Sequence, residues 1–129
     1  MNEQEMIKRT KQFALRVMKL VEALPRNVQG RTIASQLMRS GTSVAANYRA
    51  ACRARSKPEF IAKLGTVEEE ADESGFWLEL IIESGLLIEK NVRPFLIEAG
   101  ELVAITASSK KTAFSRPRSQ IANRNSPIS

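Results

Sequence analysis

The sequence contains no histidine. That absence excludes imidazole general bases, Ser-His-Asp triads, Cys-His pairs and histidine metal ligands together. It also removes the Glu-x-x-His pairs with which a four-helix bundle can hold two metal ions. The one cysteine, Cys52, has no second thiol with which to form an internal disulfide or share a metal. Set among Ala and Arg, it reads as a small, half-buried helix residue. Aromatic residues make up only 5% of the chain, and β-branched runs are few. No uninterrupted apolar stretch approaches the length of a membrane span. The amino terminus, Met1-Asn2-Glu3-Gln4-Glu5, is acidic where a secretory signal is basic and then apolar, so a cytoplasmic protein with no membrane partner is expected.

What is present is the palette of helices: Ala, Leu, Ile, Glu, Lys and Arg dominate 129 residues that are 43% hydrophobic. Met6, Thr10, Phe13, Val17, Leu20 and Leu24 alternate at spacings of four and three, predicting a helix from about Glu3 to Leu24. Asn2 and Glu5 have the form of a capping pair, and Pro25 stops the helix. A second helix is expected from Gly30 or Arg31 to about Arg55, with Ile33, Leu37, Ser40, Val44, Asn47 and Ala51 inward. Gly41 in its middle calls for the close approach of a neighbouring helix. Ser56-Lys57-Pro58-Glu59 reads as a capping box that opens a third helix. Its inner row is Phe60, Leu64, Val67, Ala71, Ser74, Leu78 and Ile81, and Gly85 forms its left-handed end. A fourth helix follows from about Asn91 to Lys111, with Pro94 in its first turn and Leu96, Ala99, Leu102, Val103 and Thr106 inward. Short connections make these segments antiparallel neighbours. The fold class is therefore all-α, an up-down four-helix bundle over residues 1–111, with a disordered basic tail over 112–129 rich in Ser, Arg, Asn and Pro.

Charge is sorted along the chain. Residues 26–57 carry seven basic groups and no acidic one, and residues 58–101 carry three basic and eleven acidic groups. The net +6 therefore conceals a polarised molecule. Lys8, Lys11, Arg16 and Lys19 on the first helix, Arg49 and Arg53 on the second, and Lys110 and Lys111 near the end are the candidate phosphate-binding groups. The competing assignment pairs the second-helix arginines with the acidic run Glu68, Glu69, Glu70, Asp72 and Glu73, within the chain or across a subunit boundary. Five carboxylates in six positions spread around a helix, with neither His nor Cys to join them, so no metal site is expected. Phe76 and Trp77 are adjacent and cannot both face one bundle core. This points to a second buried surface, a self-association interface involving Arg49, Arg53, Glu69, Phe76 and Trp77.

Certain residue runs in combination carry a family likeness: Ser35-Gln36-Leu37-Met38-Arg39-Ser40, Thr42-Ser43-Val44-Ala45-Ala46-Asn47-Tyr48, Ser56-Lys57-Pro58-Glu59-Phe60, and Trp77-Leu78-Glu79-Leu80 before Gly85-Leu86. In these the chain resembles the four-helix bundle family of proteins encoded in 23S ribosomal RNA intervening sequences. It also resembles the related accessory variability protein of diversity-generating retroelements. The resemblance implies an antiparallel bundle, a ring of five subunits, no cofactor, no activity of its own, and in some members a basic surface that engages nucleic acid or a reverse transcriptase. It assigns Gln36, Ser40, Ser43 and Asn47 to a polar inner signature. The sequence departs from the family pattern at Arg49-Ala50-Ala51, where a Glu-Gly pair is usual, and at Glu68-Glu69-Glu70, where small residues are usual. Basic groups gained on one helix and acidic on the next favour a compensating salt bridge.

Two functions follow as expectations. In the first, the chain is a non-catalytic, homo-oligomeric accessory protein that binds RNA, DNA or a ribonucleoprotein through its basic groups. In the second, it is a scaffold whose arginines are used in subunit contacts and whose partner is another protein. No constellation supports an enzyme.

Overall fold

The computed structural model describes residues 1–115, which form four helices: α1 (Glu3–Glu22), α2 (Val28–Cys52), α3 (Lys57–Ser84) and α4 (Glu89–Ser115). Each packs against the next in sequence, while α1 and α4 approach more loosely and leave a groove between them. Side-chain pairs along the seams fix an antiparallel order. Arg39 meets Glu70 and Glu73, Gly75 faces Leu96, Glu68 meets Lys110, and Lys57 Nζ donates to the Phe114 carbonyl at 3.4 Å. The core is a continuous apolar column in which Val17, Leu37, Val44, Leu64, Val67, Leu78, Ile81, Val92 and Leu102 have no exposed surface.

The helix ends follow local chemistry. Asn2 caps α1 in a reciprocal box, accepting from the Glu5 N–H at 2.8 Å while its own N–H donates to the Glu5 carboxylate at 3.2 Å. Asn27 caps α2 by accepting from the Gly30 N–H at 2.8 Å, so α2 begins at Val28, two or three residues before the start expected from the apolar row. Ser56 caps α3 by accepting from the Glu59 N–H at 3.2 Å, but the Glu59 carboxylate accepts from the Arg55 N–H at 3.1 Å, one residue before the Ser56 N–H that the expected capping box would use. Gly85, with φ of 75°, ends α3 in the left-handed conformation that an L side chain resists.

Differences from the sequence expectation have identifiable causes. The α4 helix runs on to Ser115, burying Ala113, so residues 112–115 belong to the bundle and not to a tail; the rest of the expected tail lies outside the described residues. Because α4 starts at Glu89, Pro94 falls in the second turn, where its missing N–H cannot bond the Lys90 carbonyl. Of the four residues assigned to a polar inner signature, only Ser40 is buried, where its hydroxyl accepts from Ser74 Oγ at 2.9 Å across α2 and α3. Gln36, Ser43 and Asn47 are half-buried; Asn47 Nδ2 donates locally to the Ser43 carbonyl at 2.9 Å. Gly41 does meet a neighbouring helix, since a Cβ there would lie 3.0 Å from Val17 Cγ1. None of the described helices is long and apolar enough to cross a membrane.

Candidate functional site

The charged groups separate into those that join helices and those left facing outward. Arg9 of α1 reaches α4, where its Nε and Nη2 donate to the Glu98 carboxylate at 2.7 Å each and Nη2 also meets Glu101. These carboxylates, Glu98 foremost, raise the Arg9 pKa above its ordinary value. Arg39 of α2 clamps Glu70, at 3.1 Å, and Glu73 of α3. Glu73 also accepts from the Trp77 indole N–H at 3.0 Å. That hydrogen bond, followed by Arg39, holds the Glu73 carboxyl below the ordinary glutamate range. On the other flank of α3, Lys110 of α4 pairs with Glu68 at 2.7 Å.

The expected pairing between α2 arginines and the acidic run is therefore made by Arg39. Arg49 and Arg53 are exposed on the outer face of α2 and have no ion pair among the described residues. Lys8, Lys11 and Lys19 on α1 and Lys111 on α4 are likewise exposed and unpaired there. Register brings four of these cations together. Val17 packs on Gly41, and Lys11 lies six residues before the one as Asn47 lies six after the other, which sets Lys8 and Lys11 level with Arg49 on the adjoining helix. Arg53 is one turn further along the same face as Arg49. Lys57, whose ammonium meets the end of α4, brings the basic α2–α3 turn to the same end of the bundle as Lys110 and Lys111. Arg16 stands apart from these groups: its guanidinium lies over the Phe95 ring, 4.7 Å from the centroid.

The residues assigned to self-association divide differently from the expectation. Trp77 is half-buried and spent on the Glu73 hydrogen bond, whereas Phe76, packed edge-to-face on Trp77 with centroids 4.9 Å apart, is 49% exposed. Glu69, Asp72, Glu79 and Glu83 share the outward face of α3 with Phe76 and have no ion pair among the described residues. Leu15 and Met18 of α1, 51% and 42% exposed, interrupt the lysine face of that helix. The sequence-based assignment omitted both. Their signal was legible as apolar residues at helical spacing among Lys11 and Lys19. Among the described residues, no three Cys, Asp or Glu side chains converge to hold a metal ion.

The family described as 23S rRNA-intervening sequence protein matches residues 2–108. The chain is similar to a crystal structure of a protein of unknown function from the S23 ribosomal protein family of Bacteroides thetaiotaomicron, with 30% identity and a TM-score of 0.79. That similarity covers 86% of this chain and 99% of the other. No curated protein matches the sequence. Neither match bears on the accessory proteins of diversity-generating retroelements. Four antiparallel helices, the caps at Asn2 and Ser56 and a match over nearly the whole bundle lead to one conclusion: the chain belongs to the 23S rRNA-intervening sequence protein family.

Proposed function

We propose that the chain is a non-catalytic accessory protein that assembles with itself and associates with RNA, holding phosphates on the face formed by Lys8, Lys11, Arg49 and Arg53. One observation carries this reading. Arg39 and Lys110 are taken up by the carboxylates of α3, whereas these four are exposed within about one turn of a common level and have no ion pair among the described residues. Two guanidinium groups one turn apart suit bidentate phosphate contacts, and two ammonium groups beside them extend the positive field. The family's own description favours RNA over DNA as the first ligand to test.

The test is a salt titration of binding to a labelled structured RNA, with duplex DNA alongside, using protein freed of nucleic acid. Each phosphate neutralised adds about 0.7–0.9 to the slope of log K against log salt. Removing both arginines (Arg49→Ser with Arg53→Ser) should therefore lower that slope by roughly 1.4–1.8 and weaken binding, at unchanged oligomer mass. Absence of binding at low salt, or equal binding by a variant lacking all four cations, would refute the reading and leave a protein partner as the ligand to seek.

A further inference from the structure

We infer that Phe76 of one copy seats in the groove between α1 and α4 of the next, with the carboxylates beside it meeting the cations on the groove's rim. This rests on the reading that the chain assembles with itself, and names the two surfaces that do so.

The groove, of about 500 Å³, is lined by Leu15, Arg16, Lys19, Leu20, Ala23 and Phe95. Its floor is apolar and aromatic, and Arg16 and Lys19 make its edge positive. The α3 face is its complement. Phe76 projects from the middle with 49% of its surface exposed, and Asp72, Glu79 and Glu83 lie one or two turns away on the same face. An exposed aromatic ring ringed by carboxylates, none with an ion pair among the described residues, has the composition of an interface anchor.

The two surfaces stand at the same height on the bundle. Gly75, next to Phe76, faces Leu96, next to Phe95, and Phe95 is the residue over which Arg16 lies. A contact between different patches of identical chains is head-to-tail, so each copy offers one knob and one groove to its neighbours. Lys8, Lys11, Arg49 and Arg53 do not line the groove.

Two exposed positions supply the test. Phe76→Ala removes the knob, and Leu15→Glu places a carboxylate in the groove where the acidic face must dock; circular dichroism checks that each variant folds. Native mass spectrometry across a protein dilution series should show each variant alone dissociating at concentrations at least about 30-fold higher than the unsubstituted protein, as loss of a central anchor does. Mixed together, the two variants retain one intact knob and one intact groove and should form a one-to-one dimer that grows no further. Folded variants with the assembly mass of the unsubstituted protein, or a mixture that stays monomeric, would overturn this interface while leaving self-assembly standing. An unsubstituted protein that is monomeric at every concentration would overturn both.

Discussion

Alanine substitution at three helical glycines should rank the bundle's tolerance in an order that residue type alone does not foresee. Gly30 is the third residue of α2, and its N–H donates to the Asn27 cap. A Cβ at this position would lie 1.8 Å from the Pro25 carbonyl oxygen and 2.8 Å from its carbon, both backbone atoms that cannot rotate aside. The α1–α2 turn must shift, and overpacking of that kind costs up to about 3 kcal/mol. The helical preference for Ala over Gly returns at most about 1 kcal/mol, so Gly30→Ala should lose about 2–3 kcal/mol, a fall in Tm of roughly 8–15 °C. At Gly41 the nearest atoms are the buried Val17 side-chain carbons at 3.0–3.2 Å, which need to shift by only a few tenths of an ångström, so the expected loss is about 1 kcal/mol, smaller than at Gly30. At Gly100 nothing lies within 4 Å, so Gly100→Ala should gain up to about 1 kcal/mol. Urea denaturation followed by circular dichroism, at one protein concentration so that the proposed self-assembly contributes equally to each midpoint, measures all three. A Gly30→Ala protein as stable as its parent, or a Gly100→Ala protein destabilised as much as Gly30→Ala, would show that the turn packing described here is wrong.

Arg9→Met should loosen α1 from α4, because the guanidinium bridges that seam and its loss leaves the partly buried Glu98 without its cation. Intermediate exposure puts the expected cost at about 1–2 kcal/mol, between the surface and buried cases, and hydrogen exchange should quicken in α1 before α3. Glu73 supplies a pH test. Its folded pKa is depressed, first by the Trp77 indole and then by Arg39, so its contribution is fully present above the ordinary glutamate value and is lost as pH falls through the lower folded value. Trp77→Phe removes the indole donor and should raise the Glu73 pKa toward the ordinary value, shrinking the drop in stability over that acid window. Side-chain carboxyl NMR titration reads this directly, and an unmoved Glu73 would refute the assignment.

The helices and most of their caps were legible because each rests on local chemistry. The alternating rows of α1 and α3, Asn2 with Glu5, Ser56 with Glu59, and the left-handed Gly85 all act within a few residues of chain. What was not legible depends on which helix lies opposite. Arg39 and Arg49 are both arginines on the outer half of α2, and only the register with α3 decides that Arg39 meets Glu70 and Glu73 while Arg49 meets neither. Trp77 and Phe76 looked alike as interface anchors until the geometry turned one indole toward Glu73 and left the other ring outward. The groove between α1 and α4 belongs to no single segment. Leu15 and Phe95 line it from positions 80 residues apart, and no periodicity within either helix reports their meeting.

The distribution of ion pairs links the two proposed contacts, one with a second copy of the chain and one with a polyanion. A chain with +6 net charge and an acidic helix on its surface presents a mixed field to RNA, because Glu69, Asp72, Glu79 and Glu83 repel phosphate while the lysines and arginines attract it. Glu68, Glu70 and Glu73 are already neutralised within the chain by Lys110 and Arg39. In the proposed assembly the Phe76 face is covered by a neighbour, which removes Asp72, Glu79 and Glu83 from the surface at the same time as it occupies Arg16 and Lys19. Each contact withdraws more negative than positive charge from solvent, leaving Lys8, Lys11, Arg49 and Arg53 repeated around the particle. Assembly and polyanion binding should therefore be coupled. Any variant that breaks the Phe76 contact without touching a lysine or arginine should weaken RNA binding, through loss of the repeated site and re-exposure of the carboxylates. Equal RNA affinity for folded monomeric Phe76→Ala and the assembled parent, compared per chain at the same salt, would show instead that the two surfaces act independently.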